Sequence, residues 1–110
     1  MKRLPGALMT DDDSQSSHAG FLLTVLADKD EDACLRENAA VYLGHMDDPM
    51  ILAALICLAS DADQYDRLLE RCGNAIAETW DRNRDFDIRP VIDQVTEPAR
   101  EAIRGWLNSK

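Results

Sequence analysis

Apolar positions recur along the chain at helical spacing. Leu35, Ala39, Leu43 and Met46 follow steps of four, four and three, which trace one face of an α-helix. Tyr65, Leu68, Leu69, Cys72, Ile76 and Trp80 form a second such face, with Arg67, Glu70, Arg71 and Glu78 largely off it. Ile88, Val91, Ile92 and Val95 repeat the pattern over a shorter stretch, where Pro90 is tolerated because it falls in the first turn. Ala99, Ala102, Ile103, Trp106 and Leu107 make a last apolar face, with Thr96 placed to cap it. Between these, MILAALICLA (50–59) is apolar on every side. Asp48 as an N-cap, Pro49 at the first position and the Ala and Leu content make it a helix rather than a buried strand. Its all-round apolarity predicts the central, most buried helix of the domain. FLLTVLAD (21–28) supplies the remaining helix, closed by the charged break KDED (29–32). No segment alternates with a period of two, so the expectation is all-α: six short helices and no sheet.

The helices repeat in pairs. Setting LRENAAVYLGHM (35–46) over LLERCGNAIAET (68–79) brings Leu35 onto Leu68, Ala39 onto Cys72, Ala40 onto Gly73, Leu43 onto Ile76 and Gly44 onto Ala77, an offset of 33. The preceding helices align at an offset of 32, with Leu23 on Leu55 and Leu26 on Leu58. Ala102, Ile103 and Trp106 outline a fainter third copy. A helix-pair period in the thirties is the mark of an α-solenoid.

The stretch LRENAAVYLGHMDDP (35–49), following the LADKDED turn, resembles a HEAT repeat of the short bacterial type. Leu26, Asp28, Arg36, Ala39, Ala40, Leu43, Gly44, Asp48 and Pro49 match that pattern in place. The resemblance implies a small α-solenoid of about three HEAT-like helix pairs. It also implies an interaction between the turn acid, Asp28 or Asp30, and Arg36. The second copy departs from the pattern, with Leu69 in place of the arginine and Gly73 in place of an alanine. HEAT repeats are mostly scaffolds and binding surfaces, so the implication concerns fold more than function.

Composition narrows the function classes. The 110 residues carry 21 acids against 12 bases, a net charge of −9, which disfavours nucleic acid as a partner. No apolar run is long enough for a membrane span, and the basic start MKRLPGALMTDDD lacks a signal peptide's apolar stretch. Residues 1–17 read as a flexible acidic leader ahead of a helical repeat domain over 18–110. Cys34, Cys57 and Cys72 form no CxxC pair and each sits in an apolar stretch, so they are expected to be buried structural thiols of a cytoplasmic protein.

Candidate chemistry is sparse. Asp28, Asp30 and Asp32 have the spacing of an EF-hand loop, but Ala33 and Ala39 stand where its glycine and bidentate glutamate belong. Asp61, Asp63 and Tyr65 fail the same test at Cys72. His18 and His45 lie in no zinc motif, and His45 suits the negative pole of a helix end. No catalytic constellation, cofactor or metal site is expected.

The remaining signal is the placement of acids. If helix pairs stack, Asp28, Asp30, Glu31 and Asp32 come to the same edge as Asp61, Asp63 and Asp66, while Asp47 and Asp48 project from the other. Such a ridge, with Tyr65 and Phe86 as apolar anchors, fits a basic protein partner. Short bacterial HEAT-like proteins of this size and acidity include immunity proteins that neutralise basic toxins such as nucleases. The resemblance therefore implies a non-catalytic inhibitor, with an adaptor or assembly factor like the HEAT-containing bilin lyases as the alternative.

Overall fold

The computed structural model describes residues 10–109 other than Asp85, with side chains from His18 onward. The expectation for residues 1–9 lies outside the described residues. The helices are α1 (Thr10–Ala27), α2 (Ala33–Leu43), α3 (Pro49–Ala59), α4 (Asp66–Arg82), α5 (Ile88–Gln94) and α6 (Glu97–Asn108). Among the described residues there is no strand. Residues 10–17, expected in the leader, are instead the first turns of α1. Once the packed part of a helix is nucleated, each further residue adds a hydrogen bond at little cost.

Aspartates start three of the helices. The backbone N–H groups of Cys34 and Leu35 donate to Asp32 at 2.8 and 3.3 Å. Met50 N–H donates to Asp48 at 2.9 Å, just ahead of Pro49, and Arg89 N–H donates to Asp87 at 3.0 Å. Thr96 caps differently from expectation. Its hydroxyl makes no bond to α6 and donates instead to the Ala59 carbonyl at 2.8 Å, while its own N–H reaches the same oxygen at 2.9 Å.

The central helix is α4, not α3. It packs against α2, α3 and α6, and it buries Leu68, Leu69, Cys72, Ala75, Ile76 and Ala77. Helix α3 lies to one side, covering only the stripe Ile51, Leu55 and Ala59, and leaves Met50 78% exposed. Size rather than hydrophobicity decides this. A Cβ on Gly44 would lie 2.8 Å from Ala75 Cβ, and one on Gly73 would lie 2.4 Å from the Ala99 carbonyl. Small residues thus let α2 and α6 approach α4 to near backbone contact, whereas α3 has no glycine and its Ala53 stays exposed. Arg82 fastens the first of these contacts by donating to the Gly44 carbonyl at 3.0 Å; the single proton of the Thr79 hydroxyl is shared between that oxygen at 3.3 Å and the nearer Ala75 carbonyl at 2.9 Å.

Two other expectations change. Leu35 is 52% exposed, and the inner stripe of α2 is Arg36, Ala39, Ala40 and Leu43. Of the three thiols only Cys72 is buried; Cys34 lies on the outer side of α2 and Cys57 on the open side of α3.

Candidate functional site

Two acidic turns meet at one end of the molecule. In the first, Asp28 accepts from Asp30 N–H at 2.9 Å, and in the second Asp61 accepts from Asp63 N–H at 3.0 Å. The same aspartate turn therefore recurs at equivalent places in the two helix pairs. Tyr65 joins them: its hydroxyl lies 3.1 Å from the Ala33 carbonyl and 3.0 Å from the Glu37 carboxylate. Its single proton serves one acceptor at a time. Beneath the ring, 6.0 Å from its centroid, sits the Arg36 guanidinium, which also donates to Gln64 Oε1 at 3.0 Å.

Arg36 does not meet Asp28 or Asp30. It donates through Nε and Nη2 to the Leu26 carbonyl at 3.0 and 2.8 Å. Both aspartates are exposed, and Asp28 is engaged in its own turn, whereas Arg36 is buried. Gln64 passes the interaction on, donating to Asp61 Oδ2 at 3.1 Å.

The acids divide by task. Asp28, Asp32 and Asp61 hold turns or cap a helix, and Glu31 accepts from Asp32 N–H at 2.9 Å. Asp30, Asp63 and Asp66 are exposed and engaged in no hydrogen bond or ion pair of their side chains among the described residues. The Asp63 N–H, and then the Gln64 amide, hold the Asp61 carboxyl below the usual carboxylate range. Burial, followed by the bond to Glu37, pushes the Tyr65 hydroxyl up to about 12.

Phe86 is elsewhere. It is half-buried against the core, and its carbonyl accepts from the Trp80 indole N–H at 3.1 Å. Its side chain lines a 170 Å³ pocket with Asp47, Asp48 and Leu52, at the end of α4 opposite Asp66. The 17 residues of α4 put these ends roughly 24 Å apart, so Phe86 is no part of the acidic edge. At the same far end Arg82 pairs with Asp47 at 2.8 Å, and His45 Nδ1 lies 3.1 Å from Glu78, a side-chain partner in addition to the helix pole expected for it.

A groove that no sequence pattern marked lies between α4 and α6. Its volume is 760 Å³, and its lining includes Asp66 and Glu70 from α4 and Glu97 and Glu101 from α6. Asp66 belongs to both the turn edge and this groove. A second, apolar concavity of 530 Å³ between α1 and α3 is lined by Leu23, Leu26, Ala54 and Leu58, with Cys57 at its side. Among the described residues no group of His, Cys, Asp or Glu is arranged to hold a metal, and no helix is long and apolar enough to cross a membrane.

Comparisons with protein families, with curated proteins and with solved structures found no match to this chain.

Proposed function

We propose that the protein is a non-catalytic binding module built from HEAT-like helix pairs, which takes a basic protein partner and acts on it as an inhibitor of the immunity type. The pairing of α1 with α2 and of α3 with α4 supports the solenoid reading, as does the contact of Gly44 with Ala75, repeated in kind by Gly73 with Ala99. The observation that carries the functional reading is the joining of the two aspartate turns through Tyr65. It sets Asp30, Asp63 and Asp66 on one end, where Lys29 and Arg67 also stand but none of the three acids is ion-paired among the described residues. Negative charge in excess of its local compensation steers and holds a cationic surface.

The test is surface plasmon resonance against a set of cationic toxin nuclease domains, at low and high salt, with nuclease activity as the second readout. One of them should bind, lose activity and dissociate as salt rises. The triple variant Asp30→Lys, Asp63→Lys, Asp66→Lys spares the turn-forming acids and should slow association by roughly tenfold or more. Equal binding by the triple variant, or no binding by any cationic domain, overturns the reading.

A further inference from the structure

Helix α3 is apolar all round but covered on one side only. Pro49–Ala59 contains no charged, hydroxyl or amide side chain, and a helix of that kind is ordinarily enclosed by neighbours. Here Met50, Ala53 and Cys57, at steps of three and four, form an exposed stripe on the side away from Ile51, Leu55 and Ala59. Beside the stripe lies the 530 Å³ concavity between α1 and α3, lined by Leu23, Leu26, Ala27, Ala54, Cys57 and Leu58. We infer that this face binds the same face of a second copy of the chain, in a weak symmetric pair where Met50 of each copy enters the concavity of the other.

Charge selects a second copy as the occupant. In a chain that is 30% charged, no charged residue occurs from Ala19 to Ala27 or from Pro49 to Ser60. Asp61, at the end of the concavity, is the one charge in its lining. A chain of net charge −9 repels its own copy over most of its surface, and that repulsion is least at this face. A cationic partner finds its attraction at the acidic edge instead. Shape points the same way, because projection and hollow share the face at opposite ends of α3. Met50 stands in the first turn, and the concavity opens by Cys57 and Leu58 near the last. Antiparallel α3 helices that cross at Ala53 and Ala54 therefore set each Met50 against Cys57 of the other copy, as a two-fold axis requires. The alanines at the crossing let the two helices come close. Helix α3 is about 16 Å long and, with α1 beside it, the face is about 20 Å wide. A pair thus covers on the order of 800 Å² in total, the small end of interface sizes, where association is reversible and dilute chains are monomers.

Sedimentation equilibrium from micromolar to millimolar concentration, at low and high salt, is the test. The chain should be monomeric at the dilute end and pair toward the concentrated end. Added salt should tighten the pair, the opposite of its effect on binding at the acidic edge. Met50→Lys and Ala53→Glu each set a charge into the joined face and should weaken pairing roughly tenfold or more. Tyr42→Ala, at an exposed apolar residue of α2, should leave pairing unchanged. Melts in dilute solution check that each variant keeps its fold. A short pulse of N-ethylmaleimide, read by peptide mass spectrometry, should label Cys57 more slowly in concentrated than in dilute protein, and Cys34 equally in both. A monomer throughout the range, pairing that survives both Met50→Lys and Ala53→Glu, or equal labelling of Cys57 at both concentrations overturns the assignment. None of these outcomes touches the reading of the acidic edge.

Discussion

Arg36 gives two hydrogen bonds to a single acceptor, the carbonyl of Leu26, at 3.0 and 2.8 Å. That carbonyl belongs to the last turn of α1, where unpaired helix carbonyls gather partial negative charge. The buried guanidinium is thus compensated by a helix end and by Gln64, and it reaches a carboxylate, Asp61, only through the Gln64 amide. Arg36→Met should cost about 3 kcal/mol, because two buried acceptors lose a charged donor. Arg36→Lys should recover only part of this, since an ammonium lacks the fork that spans both acceptors. Urea unfolding of the two variants checks the order; equal stability of Arg36→Met and the parent would show the network to be idle.

The glycine contacts make opposite demands on rescue. Gly73→Ala places a Cβ 2.4 Å from the Ala99 carbonyl oxygen, a backbone atom that no side-chain change removes. Gly44→Ala meets the Ala75 Cβ at 2.8 Å. Each should destabilise by about 1–3 kcal/mol. Adding Ala75→Gly should relieve the second in part, whereas Ala99→Gly should not relieve the first. Thermal melts of the single and double variants decide it.

Helix α3 should be sensitive on one stripe only. Leu55→Ala removes a fully buried side chain and should cost about 2–5 kcal/mol. Met50→Ala, on the exposed side, should stay within about 0.5 kcal/mol of the parent. Comparable losses at both positions would mean that α3 is covered all round.

The thiols should separate by reactivity. Cys34 and Cys57 are exposed, while burial pushes the Cys72 thiol up to about 12. Since the thiolate is the reactive form, Ellman's reagent should modify two thiols in the native protein and the third only on unfolding. Rapid modification of all three in the native state would contradict the burial of Cys72.

Alkali should loosen the joined turns. The Tyr65 hydroxyl is raised to about 12, above the ordinary phenol value near 10. Between those values the unfolded chain releases the proton first, so stability is complete below pH about 10 and falls as pH climbs through about 12. Tyr65→Phe should abolish the late-titrating component of the tyrosinate absorbance and flatten this part of the stability profile. A late component that persists in the variant would assign it elsewhere.

Local signals were readable in advance, whereas the choice of central helix and of several packing partners was not. Asp48 ahead of Pro49 marks a helix start because cap and amide lie two residues apart, and the recurrence of the Asp28 and Asp61 turns appears directly as an offset in the chain. The position of α4 could not be judged from apolar content, since α3 is the more apolar. The relevant feature was the cluster of small residues from Cys72 to Ala77, whose meaning depends on what stands opposite. Arg36 in place of Leu35 on the inner face, and Thr96 turned toward Ala59, likewise depend on acceptors at least ten residues away. The α4–α6 groove escapes a sequence reading because its walls are separated by the 83–87 loop and α5.

Because α2, α3 and α6 all lean on α4, the order in which the ribosome delivers these segments matters. Ile51, Leu55 and Ala59 emerge well before residue 82, and until then the helix that shields them does not exist. Nascent α3 is thus an adhesive surface during the interval between its own synthesis and the completion of α4. Holdase chaperones should engage stalled chains whose residues up to 65 have left the exit tunnel and release those whose residues up to 82 have left it, a C-terminal linker supplying the tunnel-spanning length in each.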